Sequence, residues 1–321
     1  REIKTEEYRV SMTPAGVEIM REHGHTVLVE QEAGVGSGLE DHAYVAAGAE
    51  MVKSPREIYE RSEMVMHVKE PLPSEYGMIR RDQIIFTYLH LAADEVLTRA
   101  MVETQSIGIA YETIQRADGS LPLLIPMSEV AGRMAIQEGA KYLEMKYGGE
   151  GVLLGGVPGV EPATVLVIGA GTVGMQAAKM ACGLGAKVYM VDSYLPRLRY
   201  LNDTMPANCF TLIASPDTIR RLIREADLVI GSVLIPGAKT PRLVTRDMVK
   251  TMKKGAVMVD VAIDQGGCFE TSKPTTHKDP IYTVDGVIHY SVGNMPGAVP
   301  KTSTLALTNA TLPYAAEIAD K

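Results

Sequence analysis

The run Thr164-Val165-Leu166-Val167-Ile168, followed by Gly169-Ala170-Gly171-Thr172-Val173-Gly174, decides the fold. Five apolar or β-branched residues have the length and composition of a buried strand. The glycines then fit G-x-G-x-x-G and open a helix over Val173–Leu184. Each glycine has its own physical task. Gly169 permits the tight turn, Gly171 lets the backbone approach a pyrophosphate, and Gly174 lets helix and strand pack closely. Phosphates then meet unpaired N–H groups at the positive end of the helix. A bare glycine pattern also fits an ordinary turn in a packed α/β core, so context decides. The next strand, Lys187–Val191, ends at Asp192, eighteen residues after Gly174. That carboxylate can accept hydrogen bonds from ribose hydroxyls and repel a 2′-phosphate, which predicts NAD as the cofactor. Arg197, just beyond it, would favour NADP; the acid at the strand tip outweighs it in this reading.

Outward from this unit, apolar runs at Asp227–Ile230, Val257–Val261 and Val287–Ser291 extend the series into an α/β domain. Upstream, Thr26–Glu30, Met64–Val68, Ile84–Tyr88 and Ile107–Tyr111 read as strands, with helical spacing over Thr13–His23 and Ala93–Gln105. Thr13-Pro14 is a helix start, a capping hydroxyl followed by proline in the first turn. This alternation predicts βαβ units around a parallel sheet. Ser128–Met145 reads as a helix bridging two domains, and Gly148–Gly159 as either a hinge or a turn-rich crossover. Lys301–Lys321 reads as a helix that returns to the first domain. The expected division is 1–125 for the first part of a substrate domain, 126–299 for an NAD-binding Rossmann domain and 300–321 for the returning helix. A length of 321 residues suits two domains.

Composition excludes several classes. With a net charge of −7, nucleic acid and anionic membrane surfaces are not expected partners. The hydrophobic stretch Ala163–Val191 is broken by glycines and by Lys179 and Lys187, so it would span a membrane poorly. Cys182, Cys209 and Cys268 are odd in number and widely spaced, which fits a reducing, cytoplasmic compartment better than a disulfide framework. Neither cysteines nor histidines show metal-ligand spacing, and no metal is expected. The opening Arg1-Glu2-Ile3-Lys4 looks as if a strand precedes it, and the end stops within a helical pattern, so a longer chain is expected.

Several segments, in order along the chain, carry a resemblance. They include Arg9-Val10-Ser11-Met12-Thr13-Pro14, Val68-Lys69-Glu70-Pro71, Phe86-Thr87-Tyr88-Leu89-His90-Leu91-Ala92 and Pro126-Met127-Ser128-Glu129-Val130-Ala131-Gly132-Arg133-Met134. Later come Leu234-Ile235-Pro236-Gly237-Ala238-Lys239, Asp260-Val261-Ala262-Ile263-Asp264-Gln265-Gly266-Gly267 and Asn294-Met295-Pro296-Gly297-Ala298-Val299-Pro300. Together they resemble the alanine dehydrogenase / pyridine nucleotide transhydrogenase family, on its alanine dehydrogenase side. The resemblance implies an α/β chain of two Rossmann-like domains with parallel sheets and an active site in the interdomain cleft. It also implies reversible oxidative deamination of L-alanine to pyruvate and ammonia with NAD, commonly in a homohexamer.

That chemistry needs a cationic anchor for the substrate carboxylate, proton donors and acceptors, and a stacked hydride carrier. Arg9 and Lys69 match the family's carboxylate-binding positions; alone, each is one of 32 basic residues. His90 matches the family's proton donor, although a histidine among apolar neighbours is commonly a core residue. Asp264 matches the second acid–base residue and a cofactor contact; alone, it would pass for a turn acid before two glycines. Asp260, within the strand, is expected to make a structural contact. Further cofactor contacts implied by the resemblance are Ser128, Thr172, Arg197, Val233, Leu234, Val292, Asn294 and Met295, beside Gly169, Gly171, Gly174 and Asp192. The rival readings are a transhydrogenase NAD subunit, which would not need His90, a catalytically dead NAD-binding homologue, and a dehydrogenase for another small 2-amino acid.

Overall fold

The apolar run before the glycines is an interior strand of a seven-stranded sheet in the computed structural model, which describes residues 1–233 and 240–321. In chain order the strands of the first half are β1 (Leu28–Glu30), β2 (Glu50–Val52), β3 (Met64–Met66), β4 (Ile84–Thr87) and β5 (Ile107–Ala110). Those of the second half are β6 (Thr164–Ile168), β7 (Lys187–Asp192), β8 (Cys209–Ile213), β9 (Leu228–Gly231), β10 (Val257–Asp260), β11 (Ile281–Val284) and β12 (Val287–Tyr290). The chain divides into two compact units: Arg1–Met127 with Pro296–Lys321, and Ser128–Met295.

In the unit Ser128–Met295 the strand order is β11-β12-β10-β9-β6-β7-β8. Every neighbouring pair is parallel except the β11–β12 hairpin. Successive strands step outward from β6 to β7 and β8, then restart on its other side at β9 and β10. This is the doubly wound order, and the reversal between β6 and β9 is where such sheets leave a crevice for a ligand. Val165, Leu166, Val167 and Ile168 are all fully buried, the continuous apolar run of a strand covered on both faces. Complete burial of each such side chain contributes about 1.5–3 kcal/mol relative to exposure. One face packs Leu166, Val229 and Met258 under Ile219, Leu222 and Phe269. β8 and β11 have no counterpart in the sequence reading. Both are edge strands whose residues are mostly half-exposed, so neither shows a clean apolar run.

The helix expected over Ser128–Met145 runs over Ile125–Tyr142. Its earlier start is physically simple: Pro126 sits in the first turn, where its missing N–H is unpaired in any helix. The helix after the glycine loop spans Thr172–Gly183 and buries mostly small side chains, Ala177, Ala178 and Ala181 among them.

In the other unit the parallel strands form two sheets, β1-β2 and β3-β4-β5. Thr13 caps the helix Pro14–Glu22, its hydroxyl accepting from the Gly16 N–H at 3.2 Å. The closing helix Pro300–Ala319 belongs to this unit, and its Thr304 hydroxyl accepts the Val10 N–H at 3.1 Å. A cavity of about 640 Å³ opens between the facing edges of β1 and β3; Arg9, Lys69 and His90 do not line it. Among the described residues no helix is long and apolar enough to cross a membrane.

At the amino edge of the large sheet, Asp227 accepts the Thr164 N–H at 2.6 Å and pairs with Lys253. Glu150 lies against this pair. Burial, and then the Asp227 charge, pushes its carboxyl up to about 7, against the pull of Lys253. The folded chain therefore keeps a proton that the unfolded chain, near 4.5, has released. Stability from this group falls as pH rises from about 4.5 to about 7, then levels off. Glu150→Gln is expected to raise the urea midpoint at pH 8 and leave it nearly unchanged at pH 4.5. A variant no more stable than the parent at pH 8 contradicts this account.

Candidate active site

The glycine loop follows β6 directly and lies at the carboxyl edge of the sheet. Gly169 takes φ +100°, and a Cβ there would press on Val233 and the Ser232 backbone at 2.9–3.0 Å. A Cβ at Gly174 would meet the Gly169 carbonyl oxygen at 1.9 Å, closer than any atom can approach. Helix Thr172–Gly183 thus reaches its strand only because position 174 has no side chain. Gly171 differs. It is exposed, and a Cβ there would find no protein atom within 4 Å. The space beside it is a cradle open to a ligand, directly before the helix's first N–H groups. Residues of this shape and chemistry fit a dinucleotide pyrophosphate.

Asp192 ends β7 and accepts two backbone N–H groups, from Ala170 at 2.7 Å and from Tyr194 at 2.8 Å. Each carboxylate oxygen keeps a further lone pair for a ribose hydroxyl. Arg197 turns back to the loop: its Nε donates to the Ala170 carbonyl at 2.8 Å, and its guanidinium lies 5.2 Å from the centre of the Tyr200 ring. Ser128 and Thr172 stand half-buried in the first turns of their helices, and Val233 half-buried beyond β9. Leu234 lies outside the described residues.

Beyond β10 the chain turns sharply. Asp260 is fully buried and accepts from the Ala262 N–H (3.1 Å), the Cys268 N–H (2.8 Å) and the Ser272 hydroxyl. Burial raises its carboxyl above the ordinary range against the pull of these donors. This is the structural contact expected of it. The loop it organises carries Asp264, which is exposed in the short turn Ile263–Gln265. Asp264 Oδ1 lies 3.0 Å from where a Cβ on Gly293 would stand, so the segment Val292–Met295 runs beside it. Within that segment Val292 and Met295 are buried, and Asn294 takes φ +56°.

The remaining candidates lie in the first unit at one edge of its three-stranded sheet. Lys69 follows β3 by three residues, and His90 follows β4 by three. Lys69 is half-buried; its N–H donates to Glu2, and its carbonyl accepts the Thr87 hydroxyl at 2.9 Å. Arg9 is 2% exposed, and Glu7 grips its guanidinium in two places, at 2.6 and 2.5 Å. Its Nη1 lies 3.1 Å from the Met127 sulfur. The neighbouring segment is tied to β3 through Ser11, whose hydroxyl donates to the Met66 carbonyl at 2.9 Å. Tyr88 links Arg9 to His90. Its ring stacks on the imidazole at 5.8 Å, while burial raises its phenol and the nearby Arg9 charge draws it down. Two cations and an imidazole therefore share one edge of one unit. Asp264 belongs to the other unit.

His90 is no core histidine. Its side chain is 45% exposed, and its backbone is left-handed at φ 49°, ψ 34°. For a residue with a Cβ that conformation costs about 1–2 kcal/mol, so neighbours must hold it. The holder was not visible in the sequence. Glu112, two residues past β5, accepts the Leu89 N–H at 3.1 Å and the His90 N–H at 2.6 Å. Glu2 is a second anchor missed, taking the Val68 N–H at 2.7 Å beside Lys69. Glu7 is a third. Only its two-residue spacing from Arg9 could have hinted at that pairing.

Comparison with known proteins places this geometry. Residues 1–131 match the family domain described as "Alanine dehydrogenase/PNT, N-terminal domain", and residues 135–321 match "Alanine dehydrogenase/PNT, C-terminal domain". The chain is 56% identical over 322 residues to an alanine dehydrogenase of Methanococcus maripaludis, covering all of this chain and 86% of that protein. It is 53% identical over 321 residues to that of Halomonas elongata, with the same coverage. A solved L-alanine dehydrogenase superposes with a TM-score of 0.97 at 50% identity, over 100% of this chain and 89% of the other. A transhydrogenase from Sinorhizobium meliloti shares the fold, with a TM-score of 0.88 at 24% identity over 100% of this chain and 93% of that one.

The steric reading of the loop has a direct check. Gly174→Ala should lower the stability of the protein by about 1–3 kcal/mol in urea unfolding, because the methyl must displace the Gly169 carbonyl. Gly171→Ala should leave the unfolding free energy within about 0.5 kcal/mol of the parent. Equal effects at the two positions would contradict the assignment of separate tasks.

Proposed function

The chain belongs to the alanine dehydrogenase/PNT family, and on that footing we propose that it catalyses the reversible NAD-dependent oxidative deamination of L-alanine to pyruvate and ammonia. Identity of 53–56% to alanine dehydrogenases along the whole chain supports the reaction. The observation that carries the site is the gathering of Arg9, Lys69 and His90 at the carboxyl edge of parallel strands.

In this reading Arg9 binds the substrate carboxylate. A guanidinium is planar and permanently charged, and Glu7 fixes its orientation before substrate arrives. Lys69 adds a compact second cation. His90 exchanges a proton with the substrate's reacting oxygen or nitrogen, a task an imidazole performs near neutral pH. Asp264 is the second acid–base group. Bound NAD would supply the hydride acceptor. Gly171 and Thr172 would hold its pyrophosphate in the loop that Gly169 and Gly174 shape, and Asp192 its ribose, with Arg197 supporting that loop. Ser128, Val233, Leu234, Asp264, Val292, Asn294 and Met295 complete the proposed contacts. The proposal extends to a cytoplasmic homohexamer, supported by family membership and by the acidic, cysteine-poor composition. The likeness to the transhydrogenase is one of fold, and that reading gives His90 no task.

An assay of NADH oxidation with pyruvate and ammonium tests the proposal. Turnover should need both, prefer NADH over NADPH, and fall about tenfold or more in kcat/KM with 2-oxobutyrate. His90→Ala should reduce turnover by about 10²–10⁴-fold while NADH binding persists. No pyruvate-dependent oxidation of NADH would sink the reading.

A further inference from the structure

His90 stands in a conformation that its own side chain disfavours, and Glu112 helps to hold it there. Glu112 comes from the turn Tyr111–Thr113 that ends β5, the strand beside β4. Its carboxylate accepts from the successive N–H groups of Leu89 and His90, with both oxygens engaged by Leu89 at 3.1 and 3.2 Å. Successive backbone N–H groups converging on one anion form a nest, which fixes the local backbone. The same Oε1 lies 3.9 Å from His90 Nδ1, too far for a hydrogen bond but within ion-pair range. The side chain of Glu112 is 18% exposed, so water screens this attraction only partly. Among the described residues, the titratable groups near this corner include Tyr88, stacked on the imidazole, Tyr111, whose ring meets that of Tyr88 edge-on at 5.0 Å, and Arg9, whose charge reaches the Tyr88 phenol.

We infer that Glu112 is the positioning residue for His90, holding its backbone in the left-handed conformation and presenting a fixed carboxylate to its imidazole. Glu112 does not touch the reacting atoms. It acts through His90 in two ways. The nest aims the ring, and the charge favours the imidazolium form that donates the proton in reductive amination. The inference rests on the assignment of His90 as the proton-exchanging group.

The two effects separate by substitution. Glu112→Gln keeps one acceptor oxygen for the His90 and Leu89 N–H groups, gives up the weaker 3.2 Å contact with Leu89 to an NH2 group, and removes the charge, whereas Glu112→Ala removes the acceptor and the charge together. With pyruvate, ammonium and NADH, Glu112→Gln is expected to lower kcat about tenfold, with NADH binding by fluorescence within twofold of the parent. The basic limb of its kcat–pH profile should move about half a unit to one unit lower. Glu112→Ala should lose about 100-fold, and Glu112→Asp should recover part of the limb's position. If His90→Ala has lost turnover while Glu112→Gln and Glu112→Ala keep parental kcat and pH profile, the inference is overturned and the proposed function stands. If His90→Ala keeps turnover, the proton role fails, and this inference fails with it. A fall in kcat that leaves the Glu112→Gln limb unmoved also overturns the charge effect claimed here.

Discussion

Parallel strands cannot be joined by a tight turn; the chain must leave the sheet, cross back and start again at the same end. Every strand of β3-β4-β5 therefore finishes at one edge, as do β6, β7, β9 and β10 in the larger sheet. Residues placed just past a strand are brought side by side however far apart they lie in sequence. Lys69, His90 and Glu112 are neighbours for that reason. So are Gly169, immediately after β6, Asp192, the last residue of β7, and Val233, two residues past β9. The opposite edge carries ion pairs such as Asp227–Lys253.

A second regularity concerns carboxylates. Glu2, Glu112, Asp192 and Asp260 each accept backbone N–H groups from a loop, and Glu7 clasps a guanidinium. Hydrogen bonds to an ionised acceptor are roughly twice as strong as neutral ones, which offsets the loss of hydration on burial. The loops that carry Lys69, His90 and Asp264 are thus fastened by an acid that is not itself a candidate for the chemistry. The exposed candidates His90 and Asp264 sit on loops anchored in this way.

How much of this was legible follows from the range of each interaction. Strand β6, its glycines and Asp192 are local in sequence, with one spacing serving both helix–strand packing and the proposed phosphate cradle, and the elements read clearly. The long helices read well too, with ends displaced by one to three residues; the earlier start of Ile125–Tyr142 follows from proline being at home in a first turn. Edge strands β8 and β11 did not read, because half-exposed residues mix apolar and polar types. Arg9, Lys69, His90 and Asp264 were found through motif resemblance, since no local rule distinguishes a ligand from a solvated lysine or a turn acid. The supporting acids were invisible for a plainer reason. Glu112 is 22 residues from the N–H group it holds, and Glu2 is 66 residues from its own. Pairings at that distance exist only once the sheet has formed.

Asp192 carries a consequence for redesign. Because Ala170 and Tyr194 both donate to its carboxylate, the side chain proposed to take the ribose also braces the turn. An engineer wishing to admit a phosphorylated ribose cannot simply exchange the acid for a small neutral residue. The brace would go with the charge, and the turn would loosen where the nucleotide has to rest. A workable switch would need a replacement acceptor for both amides, introduced together with the new cation. Specificity and local rigidity are written into the same two oxygens, which makes the position resistant to single-step change.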